Sequence, residues 1–214
     1  MSFSGFEQTD FNVFSIDGLD ERMDALKKNI RPKLTTLGEE IAPYLSEKTN
    51  LDIHFHVAKH ARRKVNPPDD TWVAFANNKR GYKKLPHFQI GLFGSHLFVW
   101  FAVIYESPVK DRLGEVLSGQ IEDIQSQVPD NFLWSVDHMK PDAEKHSEVT
   151  DKDMQEMFER LQNVKKAELL CGIHIQNNDP LLQDGEALKE KIKSTFDTLL
   201  PLYKTAMRVY ENEV

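Results

Sequence analysis

The chain has 214 residues, 40% of them hydrophobic and 29% charged, with a net charge of −7 at neutral pH. This composition is typical of a folded globular protein and excludes a disordered or fibrous chain. A single cysteine, Cys171, excludes an intrachain disulfide and a site built from paired cysteines, which fits a reducing cytoplasm. We predict one compact domain over residues 1–214, with frayed ends at 1–5 and 209–214.

Membrane insertion is not expected. The longest apolar run, Leu97–Tyr105, is far shorter than the roughly 20 residues that cross a bilayer as a helix. The opening residues also lack the charged and then apolar pattern of a secretion signal. We therefore predict a cytoplasmic protein without a membrane partner.

Helical periodicity is the first pattern along the chain. Apolar side chains recur at steps of three and four between Leu19 and Ile41, which predicts an amphipathic helix. Pro32 predicts a kink or two abutting helices there, and Pro43 is expected to end the second. Three later helices are expected after Ser107-Pro108, after Thr150, and over 188–201, where Pro201 bends or closes the last one.

Strands occupy the middle of the chain and one later segment. They are predicted over 51–57, 71–76, 88–93, 97–105, 132–135 and 167–175. Gly94-Ser95 predicts an antiparallel hairpin with a positive φ in its turn, and the apolar strand that follows is expected to be central in the sheet. Because several strands follow one another directly, we predict an α+β fold whose mainly antiparallel or mixed sheet has five to six strands with helices packed on it.

Charge is distributed unevenly. Residues 54–87 carry eight basic side chains against two acidic ones, a balance of +6. Segments 59–64 and 79–84 are therefore predicted to form a basic surface for a phosphate-bearing ligand or nucleic acid. Its candidate anion-binding residues are Lys59, Arg62, Arg63, Lys79, Arg80, Lys83 and Lys84. Trp72 and Tyr82, with Phe88 near them, are candidate stacking faces for a base.

An enzyme is the alternative interpretation. His54, His56 and His60 are candidate ligands for a metal that activates water in a hydrolase. Asp137 and His138 are a candidate acid–base pair in a loop that also contains His146. Cys171 is expected in the core, and no cofactor is predicted, because the common nucleotide-loop, serine-hydrolase and zinc-protease motifs are absent from the sequence.

A protein-interaction role is a further alternative. Residues 109–163 carry six basic and thirteen acidic side chains, a balance of −7. An acidic half and a basic half on one chain allow head-to-tail contacts, so a monomer or a weak homo-oligomer is predicted.

Several runs of residues resemble one protein family. They are His56–Arg63, Val65–Pro68, Asp70–Ala76, Lys79–Lys84, His87–Gly91, Phe98–Pro108 and Val164–Ile173. In these runs the chain resembles the YktB-like family of uncharacterised proteins from Gram-positive bacteria. The resemblance extends over nearly the whole chain. It implies a single α/β domain in a bacterial cytoplasm and assigns no site residue.

Overall fold

The computed structural model describes residues 2–214, so Met1 lies outside the described residues. Within them, one antiparallel sheet has the strand order β1-β2-β3-β4-β7-β5-β6. Its seven strands are β1 His54–Val57, β2 Asp70–Ala76, β3 His87–Phe93, β4 His96–Val103, β5 Leu133–Ser135, β6 Glu144–Lys145 and β7 Leu169–Gln176. The α+β prediction is confirmed. The number of strands exceeds the predicted five to six because the two-residue strand β6 pairs with β5 and extends the sheet.

Seven α-helices flank the sheet within residues 2–214. They are α1 Gln8–Phe11, α2 Leu19–Ala25, α3 Arg31–Thr49, α4 Lys110–Ser118, α5 Ile121–Gln127, α6 Asp151–Asn163 and α7 Gly185–Glu213. A π-helical turn, Leu26–Ile30, joins α2 to α3. Short 3₁₀ turns lie at Asn12–Ser15, His146–Glu148 and Pro180–Gln183.

Proline affects these helices less than the sequence predicts. Pro32 lies in the first turn of α3, directly after the π-helical turn Leu26–Ile30, so the predicted junction between two abutting helices is a π-helical turn next to the proline. The prediction that Pro43 ends α3 is wrong, because the helix continues to Thr49 and buries Leu45. Pro201 does not close α7, which runs on to Glu213. Packing against the core outweighs one lost hydrogen bond in each helix.

Helices and loops cover opposite faces of the sheet. On β4, Val99 and Phe101 belong to the main core, which also contains the buried side chains of α3, α6 and α7. Phe98 and Trp100 alternate with them and belong to a smaller apolar cluster on the other face. All eight residues of β4 are buried and the strand is central in the sheet, as predicted.

The β3–β4 hairpin is confirmed, with Leu92 opposite Leu97. Gly94 in its turn lacks the expected positive φ, which among the described glycines occurs at Gly5 and Gly18. Thr150 caps α6 as predicted, since its hydroxyl accepts the backbone N–H of Asp153.

Both ends of the described chain pack against the rest of the fold. Phe3 is buried, and its N–H donates to the carboxylate of Glu40 at 2.9 Å. The same carboxylate pairs at 2.5 Å with Lys189, which is itself buried on α7. At the other end Val209 is buried on the same helix. Residues near both ends thus contact the fold, whereas Glu211–Val214 are exposed.

Among residues 2–214, no helix combines the length and the apolar character that crossing a bilayer requires.

The contact between α4 and α6 depends on Gly114. A Cβ at this position would lie 2.5 Å from the carbonyl oxygen of Phe158. We expect Gly114→Ala to lower the free energy of unfolding by about 1–3 kcal/mol, because the two helices must move apart. Gly119→Ala is the control, since its Cβ would lie 3.5 Å from the nearest atom. Thermal unfolding measures both; equal melting temperatures would contradict this account of the helix packing.

Candidate functional site

The candidate site lies on the face of the sheet that loops cover. His54 and His56 of β1 lie opposite Ala76 and Ala74, so these histidines share a face with Trp72. The buried residues of this side form two small apolar clusters, while the large helical core lies on the opposite side. The loops 58–69, 77–86 and 136–143 supply the side chains that close the site.

The two basic segments meet in space. Lys59, Arg62 and Arg63 from the first segment line the same cavity as Lys83 and Lys84 from the second. We call this the basic cavity, and its volume is about 910 Å³. The two segments are far apart in the sequence. They come together because β1 pairs antiparallel with β2, and β2 pairs antiparallel with β3.

A second cavity of about 540 Å³ adjoins the first. It shares Lys59, Lys83 and Lys84 with the basic cavity and adds Arg80. Lys79 is directed elsewhere, to a separate cavity next to α3 that His54 also lines. Six of the seven predicted cations therefore surround the two adjoining cavities, and Lys79 does not.

The aromatic candidates differ in their accessibility. Trp72 is half-buried in the wall of the basic cavity, and its indole N–H donates to the Tyr82 hydroxyl at 2.8 Å. Tyr82 is buried, and its ring lies 4.9 Å from that of His87. Phe88 is wrong as a stacking face, because alternation along β3 directs it into the helical core, 4.7 Å from the ring of Tyr203. Among these three aromatic candidates, Trp72 is thus the most accessible from the basic cavity.

The three candidate metal-binding histidines have separate partners. His54 Nε2 lies 3.1 Å from the carboxylate of Asp52, and His56 Nε2 lies 2.8 Å from the carbonyl oxygen of Asn78. His60 Nε2 lies 3.2 Å from the hydroxyl of Thr71. The structure therefore does not bring these imidazoles together around one point.

Asp70 is a buried carboxyl group in the wall of the basic cavity. It is the first residue of β2, it is 3% exposed, and its Oδ2 has no hydrogen-bond partner within the described residues. Burial raises the pKa of Asp70 to about 7, although the positive charges of His138 and Arg63 act to lower it. An unsatisfied buried carboxyl costs folding free energy, so this position calls for a functional explanation.

His138 also lines the basic cavity, and Glu168 holds its ring. The Glu168 carboxylate accepts the backbone N–H of His138 at 2.9 Å and contacts ring Nδ1 at 2.7 Å. Burial lowers the pKa of His138, but the hydrogen bond and charge of Glu168, with the charge of Asp70, outweigh it and raise that pKa above its ordinary value. Nε2 is then the ring nitrogen available to a ligand in the cavity.

The two members of the predicted Asp137–His138 pair have separate hydrogen-bond partners. Asp137 Oδ1 accepts the backbone N–H of Met139 at 3.0 Å, whereas the His138 ring contacts Glu168. Ligand atoms of Asp137, His138 and Glu168 do lie within 4.8 Å of one another. Because Glu168 Oε2 already accepts two hydrogen bonds from His138, we interpret this cluster as support for the His138 ring.

Two further histidines near the cavity favour the neutral state. Burial lowers the pKa of His60 to about 4, helped by the charges of Arg63 and Arg31. Burial likewise lowers the pKa of His87 to about 4, where Nδ1 bonds the carbonyl of Leu85 and Nε2 faces the amide of Gln89. His87 thus acts as a neutral support beneath Tyr82.

Other sequence candidates lie outside the basic cavity. His146 is buried, and its Nδ1 accepts the indole N–H of Trp134 at 2.9 Å, which is a structural contact. Cys171 is buried as expected, and burial raises the pKa of its thiol. The acidic segment 109–163 lines a different cavity of about 580 Å³, where Asp142 and Glu156 lie.

Sequence reasoning missed Asp70 and Glu168 as site residues. A signal existed for Asp70, since it precedes Trp72 by two residues and strand alternation places both on one face. Glu168 gave no comparable signal, because its partner His138 is 30 residues away and a carboxylate beside an apolar strand usually faces water.

Fold and cavity together define an α+β protein with an open antiparallel sheet, covered by helices on one face and by loops around a basic cavity on the other. The chain belongs to the family described as "Domain of unknown function (DUF1054)", whose model matches residues 6–203.

Several curated relatives from Bacillus carry the name UPF0637 protein. The Bacillus licheniformis protein is 54% identical over 209 residues, covering 98% of this chain and 99% of its own. The protein of Bacillus cereus strain B4264 is 52% identical over 208 residues, covering 97% and 100%. The Bacillus velezensis protein is 54% identical over 204 residues, covering 95% and 97%. The predicted membership of an uncharacterised family from Gram-positive bacteria is confirmed.

The buried carboxyl of Asp70 predicts a specific pH dependence of stability. The folded chain keeps the Asp70 proton up to a pKa of about 7, whereas the unfolded chain loses it near 3.8. Between these two pKa values, Asp70 therefore lowers the free energy of unfolding progressively as the pH rises. Above about pH 7 this loss of stability is complete. We expect the melting temperature of Asp70→Asn, relative to wild type, to rise from about pH 4.5 to about pH 8.

Comparison with wild type at each pH removes the contributions of the other titrating groups. Asp142→Asn is the matched control, because it deletes the same charge at an exposed position away from the basic cavity. A difference between Asp70→Asn and wild type that stays constant with pH, in differential scanning calorimetry, would contradict a buried carboxyl with a raised pKa.

Proposed function

We propose that this protein binds a small phosphate-bearing ligand of nucleotide size in the basic cavity. The observation that carries this proposal is that both basic segments and Trp72 line one cavity of about 910 Å³. Small-molecule sites usually measure about 300–1,000 Å³, so the volume suits a nucleotide. A concave site of this size favours a small ligand over an extended strand of nucleic acid.

The side chains around the cavity suit phosphate recognition. Arg62 and Lys84 are exposed, and within residues 2–214 neither takes part in an ion pair, so both remain available to an anion. A guanidinium group can contact two phosphate oxygens at once, and an ammonium group adds a point charge. Lys83 is partly neutralised by Glu106 at 3.2 Å, which makes it the weaker candidate. Trp72 supplies an apolar face for a base.

The cytoplasm is part of this proposal, with the protein as a monomer or a weak homo-oligomer. Nucleotides are abundant in that compartment, and Cys171 is the only cysteine of the chain. Size-exclusion chromatography with light scattering tests the oligomeric state.

Isothermal titration calorimetry with 5′-AMP, ATP and inorganic phosphate tests the binding proposal. We expect Arg62→Glu and Lys84→Glu each to weaken nucleotide binding by about ten- to one-hundred-fold, because each removes a charge-assisted hydrogen bond. Lys204→Glu is the matched control, since it makes the same charge change on an exposed position of α7. The proposal would be overturned if none of these three ligands gave a heat of binding and none competed with another for the protein.

Lys79→Glu separates a cavity from an extended basic surface. Lys79 belongs to the second basic segment but lines another cavity, so its replacement should leave nucleotide affinity within about twofold of wild type. If a nucleic acid is the true ligand, Lys79→Glu and Lys84→Glu should weaken binding equally, and affinity should fall steeply with salt concentration. Fluorescence anisotropy with labelled single strands measures both effects.

A further inference from the structure

The basic cavity contains groups that phosphate binding alone does not require. Asp70 is 3% exposed with an unsatisfied Oδ2, and a carboxyl group beside an anion site opposes anion binding when it is ionised. Burying such a group costs free energy, which a purely ligand-binding site would avoid by using a neutral side chain. A reactive role explains its presence better than a structural one.

The second such group is His138. Two contacts to Glu168, from the backbone N–H at 2.9 Å and from Nδ1 at 2.7 Å, fix both the loop and the imidazole ring. Glu168 is itself buried at the entry to β7, so the ring is held by the sheet rather than by solvent-exposed groups. A carboxylate bound to Nδ1 orients the ring so that Nε2 can exchange a proton with a ligand.

We propose that the basic cavity is the active site of a phosphodiesterase acting on nucleoside phosphodiesters, in which Asp70 is the general base, His138 the general acid and Glu168 a positioning residue. This inference rests on the proposed function, because the same cavity must first bind the phosphate-bearing ligand. Asp70 and His138 line that cavity together with the cations that would hold the diester anion.

The reaction balances without a further reactant besides water. A water oxygen forms a bond to phosphorus while the bond between phosphorus and the alkoxide leaving group breaks. Asp70 takes one proton from the water, and His138 Nε2–H gives one to the leaving oxygen. Solvent then carries the proton from Asp70 back to His138. The products are a phosphomonoester and an alcohol, or a single phosphomonoester when the diester is cyclic.

The charges of Asp70 and His138 act on each other. Each group stabilises the charged form of the other, because the charge of His138 lowers the pKa of Asp70 and the charge of Asp70 raises the pKa of His138. Arg63 and Asp69 also act on Asp70, while Glu168 and Lys83 also act on His138. Ionised Asp70 therefore favours protonated His138, and protonated His138 favours ionised Asp70.

A diester is the substrate class that most needs this pair. Its leaving alkoxide is strongly basic, so protonation by a general acid lowers the barrier, typically by a factor of about 10²–10⁴. Its phosphate carries one negative charge, which two or three cations can hold even beside an ionised Asp70. The cations have a second role in the transition state, where charge on the phosphoryl oxygens increases.

The test uses the full-length protein with 2′,3′- and 3′,5′-cyclic nucleotides and the dinucleotide ApA. Calorimetry measures their binding, and ³¹P NMR with chromatography measures the phosphomonoester product. We expect at least one diester to be hydrolysed with a bell-shaped pH profile. Asp70→Asn and His138→Gln should each lower kcat by about 10²–10⁴-fold while the variants still bind the diester in calorimetry.

Glu168→Gln tests the positioning role separately from folding. The amide keeps a hydrogen-bond acceptor but removes the charge that raises the pKa of His138, so the alkaline limb of the pH profile should move to lower pH. A merely structural role would lower the rate at every pH without moving that limb. Thermal unfolding and circular dichroism confirm that each variant is folded before it is assayed.

The two proposals fail in distinguishable ways. If diesters or other nucleotides bind but no diester is hydrolysed, the phosphodiesterase is overturned and the binding function stands. If no phosphate-bearing ligand binds at all, both are overturned. Hydrolysis that persists in Asp70→Asn at the wild-type rate would remove Asp70 from the mechanism.

Discussion

The one-sided cover of the sheet is the constraint on which the rest of the structure depends. Every residue of β4 is buried, yet the large helical core lies on one face only. The opposite face, around Phe98 and Trp100, must be shielded by loops, and loops bring polar and charged side chains with them. A cavity lined by cations, rather than a second apolar core, is the consequence of this arrangement.

Burial and charge then determine what the cavity can do. Asp70 and His138 are removed from water by the same loops that carry Arg62 and Lys84, so the two ionisable groups interact across a medium of low polarity. Glu168 reaches this region only because β7 lies next to β4 in the sheet. The site therefore combines a rim of cationic side chains with two buried ionisable groups, and the proposed binding and the proposed catalysis would both use this one place in the fold.

Several features were predictable from local pattern. The β3–β4 hairpin, the capped start of α6 and the central place of β4 depend on residues close together in the chain, and each was confirmed. The prolines at 43 and 201 misled the prediction, because the loss of one backbone hydrogen bond is a local cost, whereas the helices are held by distant apolar contacts. Composition identified the two basic segments, but it did not predict that they line the same cavity.

The sequence by itself determined most of the elements, the fold class and the family, because period, capping and composition act over a few residues at a time. Tertiary structure alone decided which side chains meet. It placed Lys79 away from the other cations, turned Phe88 into the core, and gave His138 the partner Glu168 in place of its neighbour Asp137. Strand register and loop packing set these contacts, and they depend on free energies summed over the whole chain rather than on any local pattern.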